Sequence, residues 1–208
     1  WIWYSLIKGV RYSTKKLLLE KYNNPEIIYH LSEQELLKID GVTEKIAQNV
    51  TYLKSKELIE YHIEYMKRNK IDIINIQDTE YPQILKEIYD PPFSLYIRGN
   101  KKILNDKNIA IIGCRECSDY GKKAAKYFAY NLSKETFNIV SGLAKGIDSY
   151  SHYGSICAQK ENVKCCGKTI AVLGNGLDSI YPKENYNLAN EIIKNGGSII
   201  SEYPCGTK

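Results

Sequence analysis

Four short apolar runs, each closed by a small residue, recur at nearly equal steps along the second half of the chain. They end at Gly113, Ser141, Gly174 and Ser201, at separations of 28, 33 and 27 residues. A strand–helix–strand unit occupies about 30 residues, so three such units in succession fit this stretch. Asn108–Ile112 and Phe137–Val140 are rich in β-branched residues and almost uncharged, the composition of parallel strands buried on both faces. Helices are expected between the strands over Ser118–Ser133, Ile147–Gln159 and Lys183–Asn195, the first with Ala124, Phe128 and Leu132 on one face. Right-handed crossovers between successive strands then give an α/β fold with a doubly wound parallel sheet.

The chain ahead of this region reads differently. Lys15–Tyr22, Ser32–Ile39 and Thr43–Met66 carry apolar residues at three- and four-residue spacing, broken by Asn23-Asn-Pro25 and Asp40-Gly41. Ser32-Glu-Gln-Glu35 is a capping box ahead of Leu36. Leu36–Ala47 resembles a helix-hairpin-helix element, with Thr43 where a small residue is usual; a plain helical bundle is the competing reading. A boundary near Lys70 divides the chain into a small helical, SAM/helix-hairpin-helix-like domain (1–70) and a sheet domain (71–208). Ile71–Ile76 and Phe93–Ile97 are short strands leading into the sheet, and Asp90-Pro-Pro92 between them is extended. Lys160–Gly167 reads as a polar loop.

In open α/β sheets the ligand site lies beyond the carboxyl ends of the strands. Three glycine-bearing turns collect there. In the first, Gly113 permits a tight exit, Arg115 offers a planar fork to a phosphate, and Ser118 or Asp119 can cap the next helix. In the second, Ser141-Gly-Leu-Ala-Lys-Gly146 exposes backbone amides among small residues, with the Ser141 hydroxyl and the Lys145 charge beside them. The third, Gly174–Asp178, is followed by Tyr181-Pro-Lys183. Glycines serve any turn, but three turns in register, each with a cation nearby, point to an anion.

Several chemistries lack their signatures. No G-x-G-x-x-G follows the first strand, no acid ends the second, and no G-x-x-x-x-G-K-[ST] occurs, so no nucleotide cofactor is expected. No G-x-S-x-G elbow precedes His152. Asp148 and His152 stand four residues apart on one helix face, a spacing that suits either a structural pair or acid–base work.

Net charge is +5, compatible with a polyanion partner without demanding one, and the 18 tyrosines could stack on bases or simply pack. There is no apolar run of membrane-spanning length and no signal-peptide pattern, which points to a cytoplasmic protein without a membrane span. Six cysteines without such a signal fit a reducing compartment. Cys114 and Cys117 form a C-x-x-C, but adjacent Cys165 and Cys166 lack the usual zinc spacing, so incidental thiols are favoured over a metal site. The chain opens on Trp1 and stops at Lys208, and it reads as a fragment.

The ordered motifs resemble the DNA-processing protein A family (DprA, also called Smf). They run Tyr81-Pro-x-x-Leu85, Asp90-Pro-Pro-x-x-Leu-Tyr-x-Arg-Gly99, Ile109–Arg115, Ser118-x-Tyr-Gly121 and Val140–Asp148. They continue through His152, Thr169–Asp178, Tyr181-Pro-Lys-x-Asn185 and Ser201-Glu-Tyr-Pro-x-Gly206. The resemblance implies an extended Rossmann fold and a non-catalytic single-stranded DNA-binding protein. Such a protein protects incoming DNA during natural transformation and helps load RecA recombinase, acting in full length as a homodimer. Phosphate contacts are then expected from Gly113, Cys114, Arg115, Ser141, Gly142, Ala144, Lys145, Gly146 and Lys183. Cys114 replaces the family's usual serine, which weakens any hydroxyl contact there. The alternative is a nucleotide-binding or nucleotide-processing enzyme on the same sheet, with Asp148 and His152 as polar partners.

Overall fold

The computed structural model describes residues 1–161 and 166–208, so Cys165 and the middle of the expected polar loop lie outside the described residues. The chain forms two compact units, Trp1–Arg68 and Asn69–Lys208.

The first unit is helical: α1 (Ile2–Leu6), α2 (Tyr12–Tyr22), α3 (Pro25–His30), α4 (Glu33–Leu37), α5 (Glu44–Tyr52) and α6 (Lys56–Arg68). Local sequence sets its punctuation. Ser32 and Glu35 close a reciprocal capping box on α4, Thr43 caps α5, and Asn23 ends α2 in the left-handed conformation. The run expected as one helix over Thr43–Met66 breaks at Leu53–Ser55, because the Ser55 hydroxyl accepts from the Leu58 amide and starts α6. Tyr4, Leu18, Ile28, Leu36 and Val50 are fully buried, and Trp3 meets Tyr29 edge-on at 5.1 Å.

The second unit is built on one six-stranded sheet. Its strands are β1 (Ile71–Asn75), β2 (Ser94–Gly99), β3 (Asn108–Ala110), β4 (Asn138–Ser141), β5 (Thr169–Leu173) and β6 (Ser198–Ser201), in the spatial order β1-β2-β6-β5-β4-β3. Strands β3 to β6 are mutually parallel, whereas β2 pairs antiparallel with both β1 and β6. The crossover helices are α8 (Asp119–Lys134), α9 (Ile147–Glu161) and α10 (Tyr186–Lys194). The strands advance in one direction, so right-handed crossovers bring these helices side by side on one face, α8 and α10 flanking α9. The other face carries Ile74, Leu95, Ile97 and Ile170, covered by Tyr81, Ile103 and Leu104, with Leu85 of α7 (Gln83–Lys86) packed at the margin.

Two packing expectations differ in detail. Strand β3 lies at the sheet edge, so Asn108 and Ala110 are exposed and Ile112 beyond it is 74% exposed. On α8 the buried positions are Ala125, Ala129 and Ser133, one residue round from those expected, and Phe128 is exposed. The cause is a close approach by α9: a Cβ on Gly154 would lie 2.4 Å from the Lys126 carbonyl and 2.9 Å from the Ala129 Cβ. Only small side chains fit that contact.

Candidate anion-binding site

The three turns meet at the carboxyl ends of β3, β4 and β5, and an open cleft of about 760 Å³ lies among them. Arg115 comes from the first turn, Gly142, Ala144 and Lys145 from the second, and Gly174, Asn175 and Tyr181 from the third and its continuation. Lys208 also reaches the cleft. Among the described residues, Arg115, Lys145 and Lys208 line it and no Asp or Glu side chain does. The Tyr181 side chain forms part of the wall and is 65% exposed.

The second turn is held from several sides. Asp148, buried in the first turn of α9, accepts from the amides of Gly142 (3.1 Å) and Ala144 (3.3 Å) through one oxygen. Ser149 Oγ donates to the Ala144 carbonyl at 2.6 Å, and Asn185 Nδ2 donates to the Leu143 carbonyl at 2.7 Å. Leu143 sits at φ +58 with its side chain fully buried, a left-handed conformation that a leucine adopts only when its surroundings impose it. These bonds supply that constraint.

The first and second turns are in direct backbone contact. The Ile147 amide donates to the Cys114 carbonyl at 3.2 Å. Gly146, at φ +78, lies so close that a Cβ there would be 2.3 Å from the Cys114 oxygen and 2.4 Å from that of Arg115. Gly113 is also close-packed, with a Cβ placed 2.7 Å from Ile147 Cγ1. These two glycines therefore let the turns close on each other rather than open a free cradle.

The expected phosphate ligands thus divide by position. Arg115, Gly142, Ala144 and Lys145 line the cleft; Gly113, Cys114, Ser141, Gly146 and Lys183 lie outside its lining. The Ser141 hydroxyl donates to the Ile111 carbonyl at 2.6 Å and is buried, so that donor is engaged in tying β4 to β3. The Gly142 and Ala144 amides already meet a carboxylate. Lys145 pairs with Glu184 at 2.7 Å, a contact that raises the lysine's pKa and lowers the glutamate's. Cys114 and Lys183 are exposed. Arg115 makes no hydrogen bond or ion pair among the described residues, and neither do the amides of Gly113, Cys114 and Arg115. The sequence reading passed over Ser149 as a turn-holder and Lys208 as a lining cation; Asn185 stood within a quoted motif without a role.

Asp148 and His152 are not partners. His152 is fully buried between α9 and β5, with Nδ1 2.7 Å from Thr169 Oγ1. Because that hydroxyl donates to the Ile139 carbonyl at 2.8 Å, the histidine must donate through Nδ1–H. Nε2 has no hydrogen-bond partner among the described residues, and burial pushes the imidazole pKa down to about 3. Among the described residues, no three His, Cys, Asp or Glu side chains gather as a metal site. No described helix is long and apolar enough to cross a membrane.

The described residues thus form a Rossmann-like sheet with Arg115, Lys145 and Lys208 at a cleft beyond its strand ends, the place where open α/β sheets hold their ligands. Residues 72–208 match the sequence model of DNA recombination-mediator protein A, and the chain belongs to that family. It is 39% identical to DNA processing protein DprA of Bacillus subtilis over 139 residues, 66% of this chain and 44% of that protein. It is 32% identical to protein Smf of Synechocystis over 212 residues, covering 100% of this chain and 51% of the relative. The chain thus spans about half the length of these relatives. Among solved structures, DprA from Streptococcus pneumoniae superposes with a TM-score of 0.75 at 30% identity, covering 100% of this chain and 68% of that one. DNA processing protein A from Helicobacter pylori, solved for its single-stranded DNA binding mode, gives 0.55 at 29% identity, covering 67% and 58%.

Proposed function

We propose that this chain carries the single-stranded DNA grip of a recombination mediator. The observation that carries the reading is the cleft at the strand ends, lined among the described residues by Arg115, Lys145 and Lys208 with no Asp or Glu side chain. A cation row of this kind suits a chain of phosphates, and exposed Tyr181 beside it offers a ring to a base without reading its edge. Arg115 is the principal phosphate ligand, being the cleft cation with its guanidinium uncommitted. Lys145 contributes once it parts from Glu184, and Lys183 meets the strand as it leaves the cleft. Gly113, Cys114, Ser141, Gly142, Ala144 and Gly146 act mainly by fixing the turns that aim Arg115.

The action is binding rather than catalysis, since the polar groups best suited to chemistry, Asp148 and His152, hold the turn and the helix–sheet layer. In the cell the protein works in the cytoplasm, protecting incoming single strands during transformation and helping to load RecA. The full-length protein does so as a homodimer. Membership of the recombination-mediator family and the H. pylori relative's DNA-binding structure support this reading.

Thermal shift with short oligonucleotides against a panel of mononucleotides tests it. Stabilisation that grows with oligonucleotide length is expected. Stabilisation by one mononucleotide at micromolar level, with none by oligonucleotides, would instead indicate a nucleotide-processing enzyme.

A further inference from the structure

Two thiols bracket the cleft's arginine. Cys114 and Cys117 stand on either side of Arg115 and Glu116; both are free, the first exposed and the second partly so. The backbone bends at Arg115 and Glu116, between the two cysteines. C-x-x-C is also the spacing at which a disulfide closes reversibly in redox proteins. We propose that Cys114 and Cys117 form a redox-switched disulfide that takes Arg115 out of its DNA-binding position, an inference that rests on the phosphate role given to Arg115 above.

The mechanics follow from what is pinned and what is free. The Cys114 backbone is fixed from behind, its carbonyl accepting from Ile147 and packed against Gly146. Cys117 precedes Ser118, whose hydroxyl caps α8 by accepting from Gly121 at 3.1 Å. Both ends of the C-x-x-C are therefore anchored, and the Arg115 carbonyl is packed against Gly146 as well; ring closure must then be absorbed at Glu116 and in the direction of the Arg115 side chain. The oxidant is a small-molecule disulfide such as oxidised glutathione. The Cys114 thiolate attacks one of its sulfurs and expels a first glutathione thiolate. The Cys117 thiolate then attacks the Cys114 sulfur and expels the second. The protein loses two electrons and two protons, and one disulfide is reduced to two thiols.

The test compares reduced and glutathione-oxidised protein by peptide mass spectrometry and by single-stranded oligonucleotide titration. A Cys114–Cys117 linked peptide is expected, with affinity about tenfold weaker, as for loss of one charge-assisted phosphate contact, and restored by reductant. Cys117→Ser should retain glutathione as a mixed disulfide on Cys114, because the resolving thiol is gone. Absence of the linked peptide, or a linked peptide with unchanged affinity, would overturn the switch. Arg115→Ala in the reduced state separates the two claims. If it weakens binding while oxidation does not, the switch alone fails. If it leaves binding intact, the phosphate role of Arg115 fails and the control of DNA binding falls with it.

Discussion

One oxygen of Asp148 lies 3.1 Å from the Gly142 amide, in the turn where amides were expected to meet phosphate, and it takes the Ala144 amide as well. The carboxylate is buried, so the turn carries its own internal anion. Its part is to lock the loop, leaving the ligand's charge to the side chains at the cleft. Asp148→Ala removes the acceptor from two amides at once. A loss of about 2 kcal/mol or more in unfolding free energy is expected from denaturant titration; a change within a few tenths would contradict the assignment.

Contact between the first two turns gives a pair of glycine tests. Gly146→Ala combines positive φ with backbone oxygens at 2.3 and 2.4 Å, so it should cost about 3 kcal/mol or more and weaken oligonucleotide binding. Gly174→Ala meets nothing within 4 Å and should leave both stability and binding near wild type. Equal behaviour of the two variants would show that the glycines are not distinguished by close approach.

Lys145 is held in a surface ion pair with Glu184 at 2.7 Å. Such pairs contribute little to stability, yet this one withholds a cation from the cleft. Glu184→Gln should leave the melting temperature almost unchanged. It should tighten oligonucleotide binding a few-fold, roughly the effect of removing a like charge near one phosphate. Weaker binding would mean that Glu184 positions Lys145 productively.

His152 makes stability depend on acid. Its ordinary pKa is 6.5 and burial lowers it to about 3, so between those values the unfolded chain holds the proton that the folded chain excludes. The contribution is full above pH 6.5 and declines as pH falls toward 3, with a limiting slope of about 1.4 kcal/mol per pH unit. His152→Gln, which cannot titrate, should show a flatter fall in melting temperature between about pH 7 and pH 5. An identical profile would contradict the buried, neutral imidazole.

Strand–turn periodicity was legible because buried parallel strands need β-branched runs and their exits need small residues; Gly113, Ser141, Gly174 and Ser201 marked those exits well. The antiparallel extension by β1 and β2 was visible only as two strands, since pairing across β6 joins residues such as Ile97 and Ile200 that are remote in sequence. Phe128 misled for a physical reason: an apolar stripe selects large side chains, while the α8–α9 contact admits only small ones such as Ala125, Ala129 and Gly154. At the site, Arg115 and Lys145 could be read from residue type. The occupation of Ser141, Gly142 and Ala144 could not, because their partners Ile111 and Asp148 are set by the three-dimensional meeting of two turns.

The most direct test of the account is the salt dependence of single-stranded oligonucleotide binding by the wild-type chain and by Arg115→Ala. Each phosphate neutralised contributes about −0.7 to the slope of log affinity against log salt on single strands. Arg115→Ala is expected to weaken binding to all sequences alike and to flatten the slope by about that amount. An unchanged slope, or a loss confined to particular base sequences, would contradict it.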